Sequence, residues 1–319
     1  MKKLMILLLV ISFALIISVT GLAKNIYVDI ATGGTGGTYF PVGGAIANIL
    51  SNNVDNLVAT AQTSNASVTN LNYLLTGQAE TGICQSNLAY WAYKGIVLFE
   101  DKEPFEGLRG IASLYPETIH IVAHADAGIK TVADLKGKRI SVGAPNSGNE
   151  ADARIYLPAH GVKYEDLGKL EYLSMAESAQ LFADYQIDCY TATTGYPSSS
   201  FMDSATQRDV VLVKMDDEVM DKLVEEYPYY AKEIIPGGIY RGVDEDTPTL
   251  ATPCWWLCTE DMDEELVYQM TKALWENHEE IAKAHAQGKN ITPDTALDGQ
   301  PVPLHPGAER YYKEVGILK

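Results

Sequence analysis

Four short stretches of small, hydroxylated and amide residues carry the groups in this sequence best suited to holding a ligand. Thr35, Gly37, Thr38 and Tyr39 belong to the run Ala31-Thr32-Gly33-Gly34-Thr35-Gly36-Gly37-Thr38-Tyr39, and Gln85-Ser86-Asn87, Ser147-Gly148-Asn149 and Thr193-Thr194-Gly195-Tyr196 are the other three. Glycines let the backbone take positive φ and turn its N–H groups toward a ligand. A helix beginning at such a turn adds partial positive charge, which favours a carboxylate. The chemistry on offer is reversible capture of a small anion. Each stretch also has a plain structural reading, as a tight turn or a capping loop. Ser147, with Glu150 three residues on, matches a capping box. Even so, that cap leaves the Gly148 and Asn149 N–H groups and the Asn149 amide for a ligand.

Nucleotide chemistry is disfavoured. The first loop lacks the lysine of a phosphate-binding P-loop, and Tyr39 stands where a dinucleotide fingerprint needs its third glycine. Catalytic patterns are poor, with no G-x-S-x-G, H-E-x-x-H or C-x-x-C. His120 and His124 fall on an expected strand and read as structural. Glu150 and Asp152 complement a helix start, and Arg154, two turns into that helix and about 10 Å along the axis from the Ser147 cap, reads as a pairing residue. The expectation is a binding protein and not an enzyme, with no cofactor and no metal. Cys84, Cys189, Cys254 and Cys258 are too few for a disulfide scaffold. In an extended Cys254–Cys258 run the four-residue separation spans about 13 Å, beyond the roughly 7 Å between Cα atoms that a disulfide allows, whereas a helical run would let the pair meet; buried free thiols are the expectation.

The elements that must position these loops alternate. Strands are expected at 25–30, 57–61, 81–84, 111–114, 119–123, 139–142, 187–191, 210–213 and 250–259. Helices are expected from Pro41 through Leu50, then at 67–75, 85–93, 149–160, 176–183, 197–205 and 263–284, with a short one near Val132. Strand–loop–helix repetition of this kind implies a largely parallel sheet covered by helices, with ligands at the carboxyl ends of the strands. The first residues have Lys2 and Lys3, an apolar run from Leu4 to Ile17, and Gly21-Leu22-Ala23, the form of a cleaved secretory signal. No cysteine sits near that cleavage point to take a lipid. Removing 23 of 319 residues leaves 296, enough for two lobes, and losing the two lysines moves the formal charge from −18 to −20. So acidic a chain is a poor partner for nucleic acid. It also repels anions overall, so an anion site must be locally rich in donors.

The loop Ala31 to Gly44 resembles the opening signature of TAXI-type solute receptors of tripartite ATP-independent periplasmic (TRAP) transporters. Gly82-Ile83-Cys84-Gln85-Ser86-Asn87, Ala112-Ser113-Leu114-Tyr115-Pro116-Glu117, Asp134 to Arg139, Ser141 to Pro145 and Leu304 to Tyr312 also resemble segments of that family. The resemblance covers essentially the whole chain after the signal. It implies an α/β, two-lobed periplasmic-binding-protein type II-like fold, with a ligand cleft between lobes joined by crossing strands. The expected divisions are 1–23 for the signal peptide, 24–118 with 237–319 for lobe 1, and 119–236 for lobe 2. Ligands of the glutamate, glutamine or 2-oxoglutarate kind are implied, held in a periplasmic monomer that docks on TRAP membrane subunits. Thr35, Gly37, Thr38, Tyr39, Gln85, Ser86, Asn87, Ser147, Gly148, Asn149, Thr193, Thr194 and Gly195 are the expected ligand-binding residues. Cys84, Cys189, the Thr193–Tyr196 loop and the Cys254–Cys258 strand depart from the family pattern.

Two other classes make different demands. A sensor ectodomain for a two-component system would need a signalling partner. A secreted hydrolase would need an activated nucleophile, which the sequence does not display.

Overall fold

The computed structural model describes residues 25–319, and the expected signal peptide, residues 1–23, lies outside them. The chain opens with β1 (Ile26–Ala31), α1 (Tyr39–Asn53), β2 (Leu57–Gln62), α2 (Ser67–Thr76), β3 (Thr81–Gln85) and α3 (Ser86–Lys94). A long strand β4 (Leu108–His124) leads to β5 (Arg139–Ser141), α4 (Gly148–Ala159), β6 (Lys169–Glu171), α5 (Met175–Ala183), β7 (Cys189–Thr194), α6 (Ser199–Gln207) and β8 (Val210–Leu212). α7 (Asp217–Glu226) and β9 (Ala231–Ile235) precede the second long strand, β10 (Thr247–Thr259). Then come α8 (Glu264–Glu276), α9 (Ile281–Ala284) and α10 (Pro306–Glu314).

The sheet runs β2-β1-β3-β10-β4-β7-β5-β6, with β8 also on β4 and β9 on β10. β1, β2 and β3 are parallel, as are β5, β6 and β7, whereas β4 and β10 run antiparallel to their neighbours. These two long strands join the lobes. β4 pairs with β10 up to Thr118 and with β7 from Thr118 to Ala123. β10 pairs with β9 from Thr247 to Ala251 and with β3 from Cys254 to Cys258. The chain is therefore an α/β fold on a mixed central sheet, two-lobed, with a cleft where the strands cross.

Both faces of the sheet are covered, and period-two alternation shows how. Neighbouring Trp255 and Trp256 are both buried, on opposite faces: Trp255 joins Leu71, Leu88 and Trp91, while Trp256 joins Val42, Ile46, Leu50 and Leu274. Val42, Ile46, Ile49 and Leu50 recur at helical spacing and make α1 a core helix. Each such apolar side chain contributes roughly 1.5–3 kcal/mol by leaving water. In the second lobe one face packs Ile121, Ile140, Tyr156 and Leu157, and the other packs Phe182, Tyr190 and Phe201.

Three expectations are corrected. Strands 111–114 and 119–123 are one strand that runs through Pro116. Pro116 pairs directly with Pro253 of β10, so the two missing N–H donors fall at a single place in the ladder, beside a register shift. The helix expected at 263–284 breaks at Asn277, whose φ of −130° and ψ of 16° are not helical. The strand expected at 187–191 lies at Cys189–Thr194; the preceding Asp188 carboxylate accepts from the Arg139 N–H and guanidinium.

Candidate ligand-binding site

Where the long strands cross, a cavity of about 190 Å³ opens between the lobes, room for roughly six water molecules at their share of liquid volume. The first turns of α1, α2, α4 and α5 form its wall through Tyr39, Ser67, Gly148 and Asn149, and Met175 and Ala176. First-turn N–H groups have no partner inside their own helix. Among the described residues, no acceptor meets the N–H groups of Tyr39, Gly148, Asn149, Met175 or Ala176. Two wall-side residues hold strained backbones, Ala66 at φ 68° and Asn146, just outside the wall, at φ 60°.

The caps explain which donors stay free. Ser147 Oγ accepts from the Glu150 N–H at 3.3 Å, as expected of a cap. The return half of the capping box does not form. Glu150 instead pairs with Arg154 at 2.6 Å and accepts from the Tyr164 hydroxyl at 3.2 Å, while the Ser147 N–H goes to the Ala144 carbonyl. Arg154 is thus a pairing residue. A complete box closes α5, where Ser174 and Glu177 satisfy each other.

Two buried carboxyls organise the crossing. Glu117 lies on β4 opposite Thr252, is 2% exposed and lines the cavity. The Tyr39 hydroxyl donates to its Oε2 at 2.7 Å. Burial lifts the Glu117 carboxyl well above the usual range; the Tyr39 bond opposes the shift and nearby Asp152 adds to it. Asp152 sits behind the wall and gathers four donors from both lobes. Gln85 Nε2 and the Thr193 hydroxyl reach one oxygen at 2.6 Å each, and Asn87 Nδ2 (2.8 Å) and the Tyr230 hydroxyl (2.6 Å) reach the other. Burial raises the Asp152 pKa, and the four donors hold it back. Among the described residues, the wall carries no Lys, Arg or His side chain.

Thr35, Gly37, Thr38, Tyr39, Gln85, Ser147, Gly148, Asn149, Thr193 and Thr194 are all brought to this wall. Several have their side chains engaged within the protein. Thr38 Oγ1 donates to the Gly195 carbonyl and lies 3.1 Å from Thr194 Oγ1, and Asn149 Oδ1 accepts from the Thr193 N–H. Ser86, Asn87 and Gly195 are placed off the wall. Ser86 pairs with Thr252, Asn87 serves Asp152, and Gly195 packs beside Thr38, Tyr115 and Gln287. Sequence reasoning missed Ser64 to Ser67, Glu117, Ala144 and the Ser174–Ala176 turn, together with Gly33, Gly34 and Gly36 inside the loop it did identify. The Ser-x-x-Glu spacing at 174–177 was a readable signal for a helix start. The charge of Glu117 inside an apolar run was another.

His120 and His124 are structural. His120 lies between the Thr118 carbonyl and the Tyr240 hydroxyl, and His124 stacks on Phe182 with ring centroids 3.7 Å apart. The four cysteines are buried and free.

Solved structures share this architecture at low identity. A binding-protein component of an ABC phosphonate transporter from Pseudomonas aeruginosa is 12% identical over 83% of this chain and 79% of that one, with a TM-score of 0.54. A protein from Bordetella bronchiseptica is 16% identical over 91% and 98%, with a TM-score of 0.51. A putative L-cystine ABC transporter protein from Listeria monocytogenes is 14% identical over 83% and 98%, with a TM-score of 0.50. These likenesses support the periplasmic-binding-protein type II-like fold. Residues 30–316 match the NMT1-like family, and over that span, nearly the whole described chain, the protein belongs to it.

Proposed function

We propose that this chain is an extracytoplasmic solute receptor that captures one small carboxylate in the cavity at the strand crossing and performs no chemistry on it. The observation that carries the reading is the convergence of unpaired helix N-terminal N–H groups from both lobes on a single cleft cavity. Such donors suit an anion, and their origin in two lobes makes closure part of capture. The proposed lobes are 24–118 with 237–319, and 119–236, save that Tyr240, Val243 and Leu250 pack with the second lobe's cores and carry the chain up to the crossing in β10 with that lobe; they move about β4 and β10. The segments that resemble TAXI receptors support delivery to TRAP membrane subunits by a periplasmic monomer, with glutamate, glutamine or 2-oxoglutarate as the kind of solute.

A thermal-shift screen of the refolded chain against amino acids, keto acids, dicarboxylates, phosphonates and sugars tests this. A ligand at 100 times its dissociation constant stabilises the fold by about 2.7 kcal/mol, which raises the melting temperature by a few degrees. A selective rise with a carboxylate is expected. A response confined to sugars or phosphonates would overturn the carboxylate, and turnover of the bound molecule would overturn the receptor.

A further inference from the structure

We infer that lobe 1 clasps one six-residue segment of lobe 2, Gly195 to Ser200, from two sides, and that this clasp holds the receptor closed while it is empty. Its purpose rests on the receptor reading above, but the clasp itself needs no solute.

The first jaw is the tip of the glycine loop before Tyr39. Gly36 belongs to lobe 1, yet its carbonyl sits at the start of α6 in lobe 2. There it accepts from the Ser198 hydroxyl at 3.2 Å, the Ser199 hydroxyl at 3.1 Å and the Ser200 N–H at 3.3 Å. A first-turn N–H has no acceptor inside its own helix, and the positive end of the helix suits a carbonyl oxygen. Two positions on, Thr38 Oγ1 donates to the Gly195 carbonyl at 3.1 Å. Glycine stands at 36 for room and not for conformation. Its φ is not in the left-handed region, but a Cβ there would lie 2.3 Å from Ser200 Oγ and 3.4 Å from the Ala176 nitrogen.

The second jaw is the turn after α9. Gln287 Nε2 donates to the Tyr196 carbonyl at 2.8 Å, and His285 Nε2 to the Pro197 carbonyl at 3.0 Å. His285 Nδ1 accepts from the Gln287 N–H, which leaves the ring proton on Nε2. Asn290 Nδ2 donates to Gln287 Oε1 at 2.6 Å and so fixes that amide in its donating orientation. The carbonyls of Gly195, Tyr196 and Pro197 are therefore all taken by lobe 1, and Ser198, Ser199 and Ser200 all donate to lobe 1. Ser198, Ser199, Ser200, His285 and Gln287 lie off the cavity wall, so their bonds form with or without a solute. A receptor closed in advance spends none of its binding energy on closing, and loss of the clasp would lower apparent affinity in proportion to the closed fraction.

Residue-resolved hydrogen exchange of the refolded, solute-free chain reads the clasp at the Ser200 amide, whose acceptor among the described residues is Gly36. That amide is expected to exchange about a hundredfold or more slowly than a free one, and Gly36→Val to bring it within about tenfold of the free rate while the β4–β10 ladder stays protected. A carbonyl oxygen has two lone pairs, so Ser198→Ala alone should matter little, whereas Ser198→Ala with Ser199→Ala should release Gly36. Solution X-ray scattering of the same solute-free wild type is expected to match the closed form, and Gly36→Val combined with Gln287→Ala to expand it. Free-rate exchange at Ser200 in the wild type, an expanded solute-free wild type, or Ser200 protection unchanged by Gly36→Val would overturn the inference and leave the receptor reading standing. The paired serine variant puts the same question should Gly36→Val not fold.

Discussion

Gln85 ends β3 in the first lobe and Asp152 begins the second turn of α4 in the other, 67 positions later, and their side chains meet at 2.6 Å with no water between them. Asp152 also accepts from Asn87, Thr193 and Tyr230, so this one carboxylate fastens both lobes behind the cavity at the strand crossing.

Asp152→Ala therefore strands four buried donors at once. An unsatisfied buried donor costs about 1–3 kcal/mol, and relaxation recovers part of the sum. The expected loss is at least about 3 kcal/mol of folding stability in denaturant titrations, with Asp152→Asn intermediate. A loss under 1 kcal/mol for the alanine variant would show that the cluster does not fasten the lobes.

Stability should fall with pH through Glu117. Its carboxyl binds a proton more tightly folded than unfolded, so its contribution is complete below the unfolded pKa, near 4, and is lost as pH rises toward the raised folded value. The slope from this group approaches about 1.4 kcal/mol per pH unit within that window. Urea unfolding of the wild type and of Glu117→Gln at pH 5 and pH 8 isolates it. The wild type is expected to lose more than the variant, and parallel behaviour would remove Glu117 as a buried neutral acid.

Gly148 packs directly against Gln85 of the other lobe at the cavity. A Cβ added there would stand 1.4 Å from Gln85 Oε1, so either Gln85 leaves Asp152 or the cleft stays ajar. Gly148→Ala should weaken solute binding by tenfold or more while the hydrophobic cores remain intact, as read by calorimetry and near-ultraviolet dichroism. Unchanged affinity would mean that ligand binding does not require this contact.

The four thiols should be silent in the native protein. Cys84, Cys189, Cys254 and Cys258 are all fully buried, and burial pushes each thiol pKa up. Without thiolate there is little nucleophile. A disulfide reagent is expected to label none of them until denaturant unfolds the chain, and then all four. Fast labelling of one native thiol would contradict the packing around it.

Much of this was legible in the sequence because local chemistry announces it. The glycine loop before Tyr39, the Ser147 cap and the alternating strands each follow from neighbouring residues. The crossing was not legible. Pro116 reads as a break until Pro253 is placed opposite it, and that pairing joins residues far apart in the chain. Asp152 looked like a helix-start charge, and its four partners come from positions 85 to 230. Gln85, Asn87 and Thr193 read as ligand groups from their polarity, and that all three also serve one buried acceptor was not visible. The edge strands β6 and β9 are short and carry charged residues, so neither periodicity nor apolar content marked them.

The most direct test of the central claim is mass spectrometry of what the chain carries when purified without refolding, measured first under native conditions and again after denaturation. The expected result is one small carboxylate-bearing molecule per chain, bound without covalent attachment and released unchanged. A tightly held molecule lacking a carboxylate, a covalent adduct, or an empty chain that then takes up no carboxylate at any concentration would contradict it.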